Sequence, residues 1–462
     1  MKLENLHETL NQLRQTFGEG VTRDIAWRRT QLVALRKFLH EEERRIADAV
    51  FRDFGKSSAE TFLTESGFID GEIRYCLARL EKWMKPERVP IPLYYQFGRA
   101  EVQRHPFGVV LIIGAWNYPL NICLAPLVCA IAAGNCAVVK PSEHAPHTSG
   151  IIAEELSRCL DSNAFAVFQG GAEETQALLK ERFDCICYTG SRQIGREIMH
   201  AASRTLTPVL LELGGKSPCI VDRDANLRIA ARRIVWAKFL NAGQTCIAPD
   251  YVLVHRDAEK ELFRLMKEEL ARMYGNDPKA SSDYPRIINE RHFDRVAELI
   301  RDGIPEAGGD IDRERRYIAP TILSGVSIDA PVMQDEIFGP VLPVLVYDDL
   351  DEAIAVIRKN PDPLAVYLFT ASASTREKVL AATRSGGFCS NDLLFQSAIH
   401  GLPFGGVGMS GFGRYHGKAG YEAFSYERSV LYRSLLPDPG LRYPPYGRKK
   451  FSLLRRIVTF FG

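Results

Sequence analysis

The N-terminal segment carries apolar residues at three- and four-residue steps, at Leu3, Leu6, Leu10, Leu13 and Phe17. This spacing places them on one face of an α-helix, so the segment predicts a helix that packs on a core. The same segment mixes charges with leucines and lacks the apolar stretch of a signal peptide. We therefore expect a protein that is not exported.

From residue 108 the pattern changes to short apolar segments separated by helix-length segments. The apolar segments are GVVLIIG (108–114), CAVVKP (136–141), FAVFQGG (165–171), CICYTG (185–190) and PVLLELGG (208–215). Strands that alternate with helices of roughly ten to fifteen residues indicate βαβ units. The pattern predicts an α/β fold with a doubly wound parallel sheet, a typical frame for a cofactor domain.

A second alternating region follows residue 246 and predicts a second α/β domain. Its segments are DYVLVH (250–255), a helix over 258–274, AELIRDG (297–303), VLPVLVY (341–347) and a helix over 350–359. Residues 85–104 interrupt the alternation with prolines and then with alternating apolar positions. That pattern indicates an insertion between the units of the first domain.

Length and charge exclude several classes of protein. A chain of 462 residues is long enough for two or three domains. Its 59 basic and 57 acidic residues give a formal charge of +2, so we expect no binding to nucleic acid. The longest apolar runs, 108–116 and 123–134, are shorter than the roughly 20 residues of a membrane span.

The ten cysteines are expected to be reduced thiols in a cytoplasmic protein, because no export signal precedes them. Cys185 and Cys187 form a close pair inside an apolar strand-like segment. With no second pair nearby, they make a poor metal site. We predict no metal.

Glu212 and Cys246 are the strongest candidates for catalysis. Glu212 begins the motif ELGGKSP, and Cys246 ends the motif GQTC, with Pro249 just after it. A thiol is a strong nucleophile, and a carboxylate can deprotonate a thiol or a water. A free cysteine is more often a small buried apolar residue. Here, however, the surrounding glycine and proline predict a turn, which exposes side chains to substrates.

Two glycine-containing segments are candidates for binding cofactor phosphates. Gly190 and Ser191 end a predicted strand and precede a helix that contains Gly195, and backbone N–H groups at such a helix start attract an anion. The alternative is an ordinary strand-to-helix turn. The motif G-x-G-x-x-G at 406–411 lies far from the first βαβ unit, so we interpret it as a chance match.

The motifs at 212–218 and 243–246 are similar to the two signatures of the NAD(P)-dependent aldehyde dehydrogenases, at that family's separation. The segment 400–417, the short N-terminus and Arg442-Tyr-Pro-Pro445 resemble the class 3 branch. The resemblance implies oxidation of aldehydes to carboxylic acids with NAD(P)⁺. It favours medium- or long-chain aliphatic and aromatic aldehydes.

The resemblance also implies the catalytic roles. Cys246 would add to the aldehyde, and Glu212 would activate water against the thioester. Asn117, in the motif AWNYP at 115–119, would donate from its amide to the oxyanion, together with the backbone N–H of Cys246. On general grounds an Asn after a strand caps the next helix, and that alternative stays open here.

Further residues bind the cofactor in the resembled family. Lys140 and Glu143 of the motif KPSE would reach the adenosine ribose, and Ser191 of YTGS would contact the phosphates. In the motif EIFGP, Glu336 would hold the nicotinamide ribose and Phe338 would pack on the ring. The expected cofactor-binding residues are Trp116, Lys140, Glu143, Gly190, Ser191, Gly195, Glu336 and Phe338. The carboxylate of Glu143 favours NAD over NADP, although both are compatible with class 3.

A domain assignment follows from these motifs. Residues 85–104 resemble a projecting β-hairpin that joins a C-terminal strand in a dimerisation element, which implies a homodimer. The expected parts are an NAD(P)-binding domain (1–84 and 105–211), a catalytic domain (212–410), a dimerisation element (85–104 and 411–440) and a tail (441–462). Met409 and Cys389 depart from the class 3 pattern near the expected substrate entrance.

The tail alternates basic residues with aromatic and aliphatic ones over 447–462. A helix of this composition can lie on an anionic bilayer with its apolar side buried, which predicts weak peripheral membrane association. The equally weighted alternative is that the apolar residues dock on the protein, over the substrate entrance or the dimer partner.

Three other functions remain as alternatives. A CoA-acylating enzyme would resolve the thioester with a thiol, and Glu212 argues against it because that reaction has little need of a base for water. A Cys-His hydrolase would need a positioned histidine, and none of the ten lies in a glycine-flanked motif like those around Glu212 and Cys246. A binding protein without catalysis would leave the set of catalytic residues unexplained.

Overall fold

The computed structural model describes residues 3–92 and 98–461. The helices are α1 (Leu6–Gly18), α2 (Ile25–Glu41), α3 (Glu43–Phe54), α4 (Ser58–Thr61), α5 (Gly67–Leu77), α6 (Leu80–Met84), α7 (Asn121–Ala133), α8 (Pro146–Cys159), α9 (Ala172–Lys180), α10 (Arg192–Ser203), α11 (Leu227–Phe239), α12 (Glu259–Tyr274), α13 (Glu290–Leu299), α14 (Leu350–Lys359), α15 (Ala373–Ala382), α16 (Phe395–Ala398), α17 (Gly417–Ala423) and α18 (Arg448–Phe461). The strands are β1 (Glu87–Val89), β2 (Gly98–Pro106), β3 (Val109–Ile113), β4 (Cys136–Lys140), β5 (Phe165–Val167), β6 (Cys185–Gly190), β7 (Val209–Leu213), β8 (Pro218–Val221), β9 (Tyr251–His255), β10 (Ile304–Ala307), β11 (Ile311–Asp312), β12 (Tyr317–Ile318), β13 (Thr321–Ser324), β14 (Val341–Tyr347), β15 (Ala365–Phe369), β16 (Gly387–Ser390), β17 (Gly411–Phe412) and β18 (Ser425–Arg433).

The first α/β unit is built on a six-stranded sheet in the order β17-β7-β6-β3-β4-β5. All its pairs are parallel except β17 with β7. Every residue of β3 and β4 is buried, as expected for continuous apolar strands that helices cover on both faces. The five predicted strands between residues 108 and 215 form, and the predicted doubly wound fold class is confirmed.

The second α/β unit is built on a seven-stranded sheet in the order β10-β13-β14-β9-β8-β15-β16. The predicted segments 341–347 and 350–359 are β14 and α14 with unchanged bounds. The segment 297–303 is the end of α13 and a 3-10 helix over Ile300–Asp302. Each sheet has its own buried apolar core, so the two units fold around separate centres.

A third, smaller sheet consists of β1, β2 and β18 in antiparallel pairing. The predicted hairpin over 85–104 supplies β1 and β2, and its residues 93–97 lie outside the described residues. The segment 411–440 divides between two sheets: β17 pairs with β7, whereas β18 pairs with β2.

Helix α7 is apolar on all sides and is buried along almost its whole length. It lies between the first sheet and helices α2, α5 and α17, which explains the apolar run at 123–134. In α1, Leu6, Leu10 and Leu13 are buried, as the spacing predicts. Over the described ranges 3–92 and 98–461, no helix is both long enough and apolar enough to cross a membrane.

Candidate active site

The predicted site residues gather at the carboxyl ends of the strands of the first sheet. Trp116 and Asn117 follow β3, Lys140 ends β4, and Gly190 ends β6. Glu212 is the penultimate residue of β7. Ligands of open parallel sheets bind at this edge, so the topology alone brings together residues that are far apart in sequence.

Glu212 is 2% exposed, and neither of its carboxyl oxygens has a hydrogen-bond partner among the described residues. Burial raises the pKa of Glu212 well above its usual value, and the charge of Arg414 opposes this only in part. A Cβ atom on Gly405 would lie 2.8 Å from Glu212 Oε1, so only a glycine allows this approach. Burial without a hydrogen-bond partner thus favours the neutral form of this carboxyl.

Cys246 follows a tight turn whose backbone is unusual. Asn241 and Ala242 adopt positive φ angles of 53° and 50°, and Gly243 has φ 73°. A side chain on Gly243 would overlap the carbonyl oxygen of Gly339. The turn leaves the thiol of Cys246 partly exposed, while the residues on either side of it are buried.

Hydrogen bonds from Gln244 fix this turn. Its Nε2 donates to the carbonyls of Asn241 at 3.0 Å and Arg286 at 3.1 Å, and its Oε1 accepts from the N–H of Ile288 at 3.0 Å. Burial, followed by the nearby carboxyls of Glu336 and Glu212, raises the pKa of Cys246 above its usual value. The resting nucleophile candidate is therefore a thiol that two acids face.

Asn117 is buried and contacts the same turn. Its Nδ2 donates to the carbonyl of Gln244 at 3.1 Å, and its own carbonyl accepts from Asn241 Nδ2 at 2.8 Å. It is not the cap of α7: the helix begins at Asn121, and Glu65 Oε2 accepts from the N–H of Leu120 at 2.8 Å. The side chain of Asn117 therefore lies beside the thiol's turn.

Lys140 and Glu143 form an ion pair of 2.9 Å at the end of β4. Burial raises the pKa of Glu143, but the contact with Lys140 outweighs this, and the net pKa is below the usual value. Gly190 has φ 158°, and Ser191 caps α10 by accepting from the N–H of Ile194 at 3.4 Å. Gly195 faces β7 instead, since a Cβ there would lie 2.8 Å from Leu213 Cδ2.

Glu336 and Phe338 come from the second unit and meet the end of β7. A Cβ on Gly214 would overlap Glu336 Oε2, and Glu336 Oε1 is buried without a partner among the described residues. Burial, with a contribution from Asp250, raises the pKa of Glu336 to about 8. The ring of Phe338 lies edge-on to Trp116 at a centroid distance of 5.3 Å.

Two residues that the sequence reasoning missed hold the Glu336 segment in place. Lys216 Nζ donates to Asp250 Oδ2 at 2.6 Å and to the carbonyl of Asp335 at 2.9 Å. Asp250 Oδ1 accepts from the N–H of Ile337 at 3.1 Å. Lys216 belongs to the motif ELGGKSP and Asp250 follows Pro249, but neither position indicates a contact with the Glu336 segment.

The glycine-rich segment 406–411 lies beside Glu212, where Gly411 pairs with it across β17 and β7. Next to it a cavity of about 190 Å³ extends from Ile247 to Gly405. Its apolar lining includes Phe388, Leu402 and Phe404. Cys389 follows Phe388, and the backbone N–H of Met409 donates to Asp362 at 3.5 Å.

These features define a two-unit α/β protein with a thiol and a buried carboxyl at the edge of a dinucleotide-type sheet. A profile described as the aldehyde dehydrogenase family matches residues 2–430. Aldehyde dehydrogenase family 3 member B1 of Homo sapiens is 45% identical over 458 residues, which cover 98% of this chain and 97% of that protein. The chain belongs to the aldehyde dehydrogenase family.

Other relatives agree with this assignment. The dimeric NADP-preferring aldehyde dehydrogenase of Rattus norvegicus is 44% identical, over 96% of this chain and 98% of that protein. The structure of Staphylococcus aureus AldH in its substrate-bound state superposes with a TM-score of 0.96 at 40% identity, and covers 98% of this chain and 99% of that one. An indole-3-acetaldehyde dehydrogenase in complex with NAD⁺ has a TM-score of 0.85 at 27% identity, over 94% of this chain and 89% of that one.

The predicted membership of the class 3 branch is confirmed, since the curated relatives belong to family 3. The protein is an NAD(P)-dependent oxidoreductase that oxidises aldehydes to carboxylic acids. The alternatives of a Cys-His hydrolase and of a protein without catalysis are set aside by this assignment.

Proposed function

We propose that Cys246 is the nucleophile of the reaction. The thiol first loses its proton to solvent; the sulfur then adds to the aldehyde carbon, and the carbonyl oxygen becomes an oxyanion. The amide of Asn117 and the backbone N–H of Cys246 donate to this oxyanion. An amide nitrogen carries two hydrogens, and the bond to Gln244 uses one of those on Asn117, so the second is available for the substrate.

Glu212 is the general base of the second half of the reaction. In its ionised form it accepts a proton from water, and the water oxygen adds to the thioester carbon. The carbon–sulfur bond then breaks to release the carboxylic acid, and the proton held by Glu212 restores the thiol. The main support for this role is its buried carboxyl, which makes no hydrogen bond within the described residues and acts electrostatically on Cys246. Because nothing fixes its oxygens, a water can bind there.

The residues of the site fit a nicotinamide dinucleotide. Glu336 offers a buried carboxyl oxygen that is unpartnered within the described chain, as a ribose hydroxyl requires. The first turn of α10, after Gly190 and Ser191, presents backbone N–H groups suited to phosphate. The bound cofactor would supply a hydride acceptor, which turns the thiohemiacetal on Cys246 into a thioester.

The remaining cofactor contacts are those that the family resemblance implies. Lys140 and Glu143 would hold the adenosine ribose, and Trp116 with Phe338 would pack beside the nicotinamide. Gly195 acts indirectly, because it lets α10 lie close to β7. We propose that NAD is preferred over NADP, since the carboxylate of Glu143 would repel a 2′-phosphate. The ion pair with Lys140 weakens that repulsion and allows both.

Trapping of the thioester tests the catalytic assignment. The Glu212→Gln variant, mixed with an aldehyde and NAD⁺, should gain the mass of one acyl group on the peptide that contains Cys246, as measured by intact-protein and peptide mass spectrometry. Cys246→Ser in the Glu212→Gln background is the matched control and should gain none. An adduct on another cysteine, or no adduct with full turnover, would contradict the assignment.

The apolar cavity supports medium- or long-chain aliphatic and aromatic aldehydes as substrates. Its lining includes Ile247, the residue that follows Cys246 in the chain, together with Phe388, Leu402 and Phe404. A longer aldehyde buries more apolar surface, which favours its binding by roughly 0.8 kcal/mol for each CH₂ group. The ratio kcat/KM should therefore rise along a series of straight-chain aldehydes, and a flat or falling series would contradict this substrate class.

We propose that the chain forms a homodimer through the sheet of β1, β2 and β18. Strand β18 lies at the edge of this sheet and exposes Leu431 and Tyr432. The proposed domain boundaries at 104/105 and 211/212 fall within β2 and β7, and the proposed dimerisation segment also includes β17, which pairs with β7. Replacement of Leu431 by Lys should yield monomers in light scattering if this edge is the interface.

We also propose that the tail places a cytoplasmic protein at membranes. Most of the described side chains of helix α18 are exposed, with Phe451 61% and Phe460 80% exposed, whereas Leu454 and Ile457 are half-buried. It carries five basic residues and no acidic one, which complements an anionic bilayer. The apolar side would enter the headgroup layer, and the basic side chains would contact the headgroups.

Liposome flotation tests the tail. With vesicles that contain anionic lipid, the full chain should float at low salt and remain in solution at high salt, whereas a chain truncated after Tyr446 should not float. The double variant Arg455→Glu, Arg456→Glu is a control that keeps the helix and reverses part of its charge. Equal behaviour of the full and truncated chains would contradict membrane binding and favour docking on a protein surface.

A further inference from the structure

A second buried carboxylate, Glu72 of α5, lies apart from the residues assigned to catalysis. It is 0% exposed. Its Oε1 accepts from the N–H of Gly417 at 2.6 Å, and its Oε2 lies 2.8 Å from His400 Nδ1. One carboxylate therefore holds both ends of the segment 400–417, which we call the 400–417 loop.

The groups that face Glu72 from the surrounding elements leave it ionised. The thiols of Cys76 on α5 and Cys129 on α7 donate to Oε1 at 3.8 and 3.7 Å, and His416 Nδ1 lies 4.0 Å from Oε2. Burial lowers the pKa of His416 to about 4, so that ring is neutral near neutral pH. Burial alone would raise the pKa of Glu72, but the contacts of its carboxylate with His400, His416 and Gly417 bring it below the usual value.

The packing around this contact leaves little room for the loop to move. A Cβ on Gly71 would lie 2.5 Å from His400 Nε2, and one on Gly417, which has φ 51°, would overlap the carbonyl of His400. The rings of Phe68 and His400 lie 5.0 Å apart. The imidazole of His400 is 19% exposed, at the wall of a surface cavity of about 340 Å³.

The middle of the 400–417 loop forms one wall of the Glu212 pocket. Gly411 pairs with Glu212 across β17 and β7, and Gly405 lies against its carboxyl. Arg414 Nη1 donates to the carbonyl of Gly405 at 2.5 Å and to that of Gly406 at 3.2 Å. Arg414 also brings its positive charge within electrostatic reach of Glu212.

We propose that Glu72 is a positioning residue for the general base: by holding both ends of the 400–417 loop, it keeps the Gly405 backbone and the Arg414 guanidinium against Glu212 and so sets the rate of thioester hydrolysis. This inference rests on the proposed role of Glu212. Glu72 touches neither substrate nor cofactor in this arrangement. Its effect reaches the reaction through the loop.

The Glu72→Gln variant tests the proposal, because it keeps the size of the side chain and an acceptor for Gly417 but removes the charge that faces His400. The burst of reduced nicotinamide should stay within about twofold of wild type, while the steady-state rate falls by about 10- to 100-fold, as for a small misplacement of a catalytic group. The alkaline-rising limb of the steady-state pH profile should also shift to higher pH, because a displaced Arg414 stabilises the ionised Glu212 less.

Asp70→Asn is the matched control, since Asp70 lies on the same helix and its carboxylate pairs with Arg36 and Arg74 instead of with Gly417 and His400. It should leave the burst, the steady state and the pH profile unchanged. If Glu72→Gln does not fold, His400→Gln breaks the same contact at a partly exposed residue and should give the same separation of burst and steady state.

Three outcomes would overturn the proposal: unchanged kinetics, an equal fall of burst and steady state, or a lower melting temperature with an unshifted pH profile, which would mark a purely structural role. The Glu212→Gln variant separates this failure from that of the proposed function. If hydrolysis stays fast in Glu212→Gln, the base itself is misassigned. If it slows there but not in Glu72→Gln, only the positioning role is wrong.

Discussion

The turn that carries Cys246 and the pocket that holds Glu212 are built in opposite ways. The turn is fixed by the side chains of Gln244 and Asn241, which make five hydrogen bonds to backbone groups. The carboxyl of Glu212 makes none within the described residues and is held by packing alone. The nucleophile must stay in place before substrate arrives, whereas the base must leave its oxygens open to a water.

The two constructions have different energetic costs. The turn stores strain in positive φ angles, which cost about 1–3 kcal/mol each and which its hydrogen bonds offset. At Glu212 the much larger cost of a buried unpaired charge instead favours the neutral carboxyl and raises its pKa. The comparison therefore predicts that changes in the turn affect position and stability, whereas changes at Glu212 affect proton transfer.

Cys246→Ala should have the largest effect. Because the sulfur forms the covalent intermediate, both dehydrogenase activity and any esterase activity should fall by roughly 10⁴-fold or more. Reduced-nicotinamide absorbance and an ester hydrolysis assay measure the two activities. Substantial turnover of either substrate would show that the turn does not present the nucleophile.

Asn117→Ala should lower kcat by about 10²- to 10³-fold, the effect of removing one oxyanion donor. Steady-state kinetics with a saturating cofactor measure this, and Asn121→Ala, which removes a side chain from the start of α7 instead, serves as the control. A rise in KM with kcat unchanged would reassign Asn117 to substrate or turn binding.

Glu212→Gln should change the pH dependence of stability. A carboxyl whose pKa is raised in the folded state stabilises the fold below its ordinary pKa and loses that contribution as pH rises. Above a pH of about 4.3, the free energy of unfolding of the wild type should fall relative to the variant, by at most about 1.4 kcal/mol for each pH unit. Urea unfolding at several pH values measures the difference, and parallel curves would show that Glu212 is ionised in the fold.

Gln244→Ala should produce the smallest of these effects, a loss of stability that does not depend on pH. It leaves the N–H of Ile288 and two carbonyls without their partner, which should cost about 1–2 kcal/mol of stability at every pH. Urea unfolding measures this loss, and the burst rate should fall with it as Cys246 moves. A stability loss that varied with pH would show that the Cys246 turn does not differ from the Glu212 pocket in this respect.

The sequence predicts the two α/β units well, because buried parallel strands such as β3 and β4 are continuous apolar runs with little ambiguity. It also indicates Glu212 and Cys246, because the glycines that surround them are their neighbours in the sequence. The sequence alone did not show that α7 is capped by Glu65, 56 positions before Asn121. Nor did it show that Glu72 contacts Gly417, because a single buried carboxylate leaves no periodic pattern.

The same limit applies to Lys216 and Asp250. Lys216 lies in the same motif as Glu212, and Asp250 lies close to Cys246 in sequence. Their hydrogen bonds to the Glu336 segment, however, join parts of the chain that are far apart in sequence. Spacing along the chain carries no information about that contact. Residues that position others are for this reason harder to predict than residues that react.

The carboxyls of Glu336 and Glu212 also affect how readily the sulfur of Cys246 is chemically modified between reactions. Peroxides and alkylating agents attack the thiolate far faster than the thiol. Burial, Glu336 and Glu212 raise the pKa of Cys246, which lowers the fraction of the resting sulfur that is thiolate. In an enzyme that handles reactive carbonyl compounds, the sulfur of Cys246 is thus less reactive between turnovers than a thiolate would be.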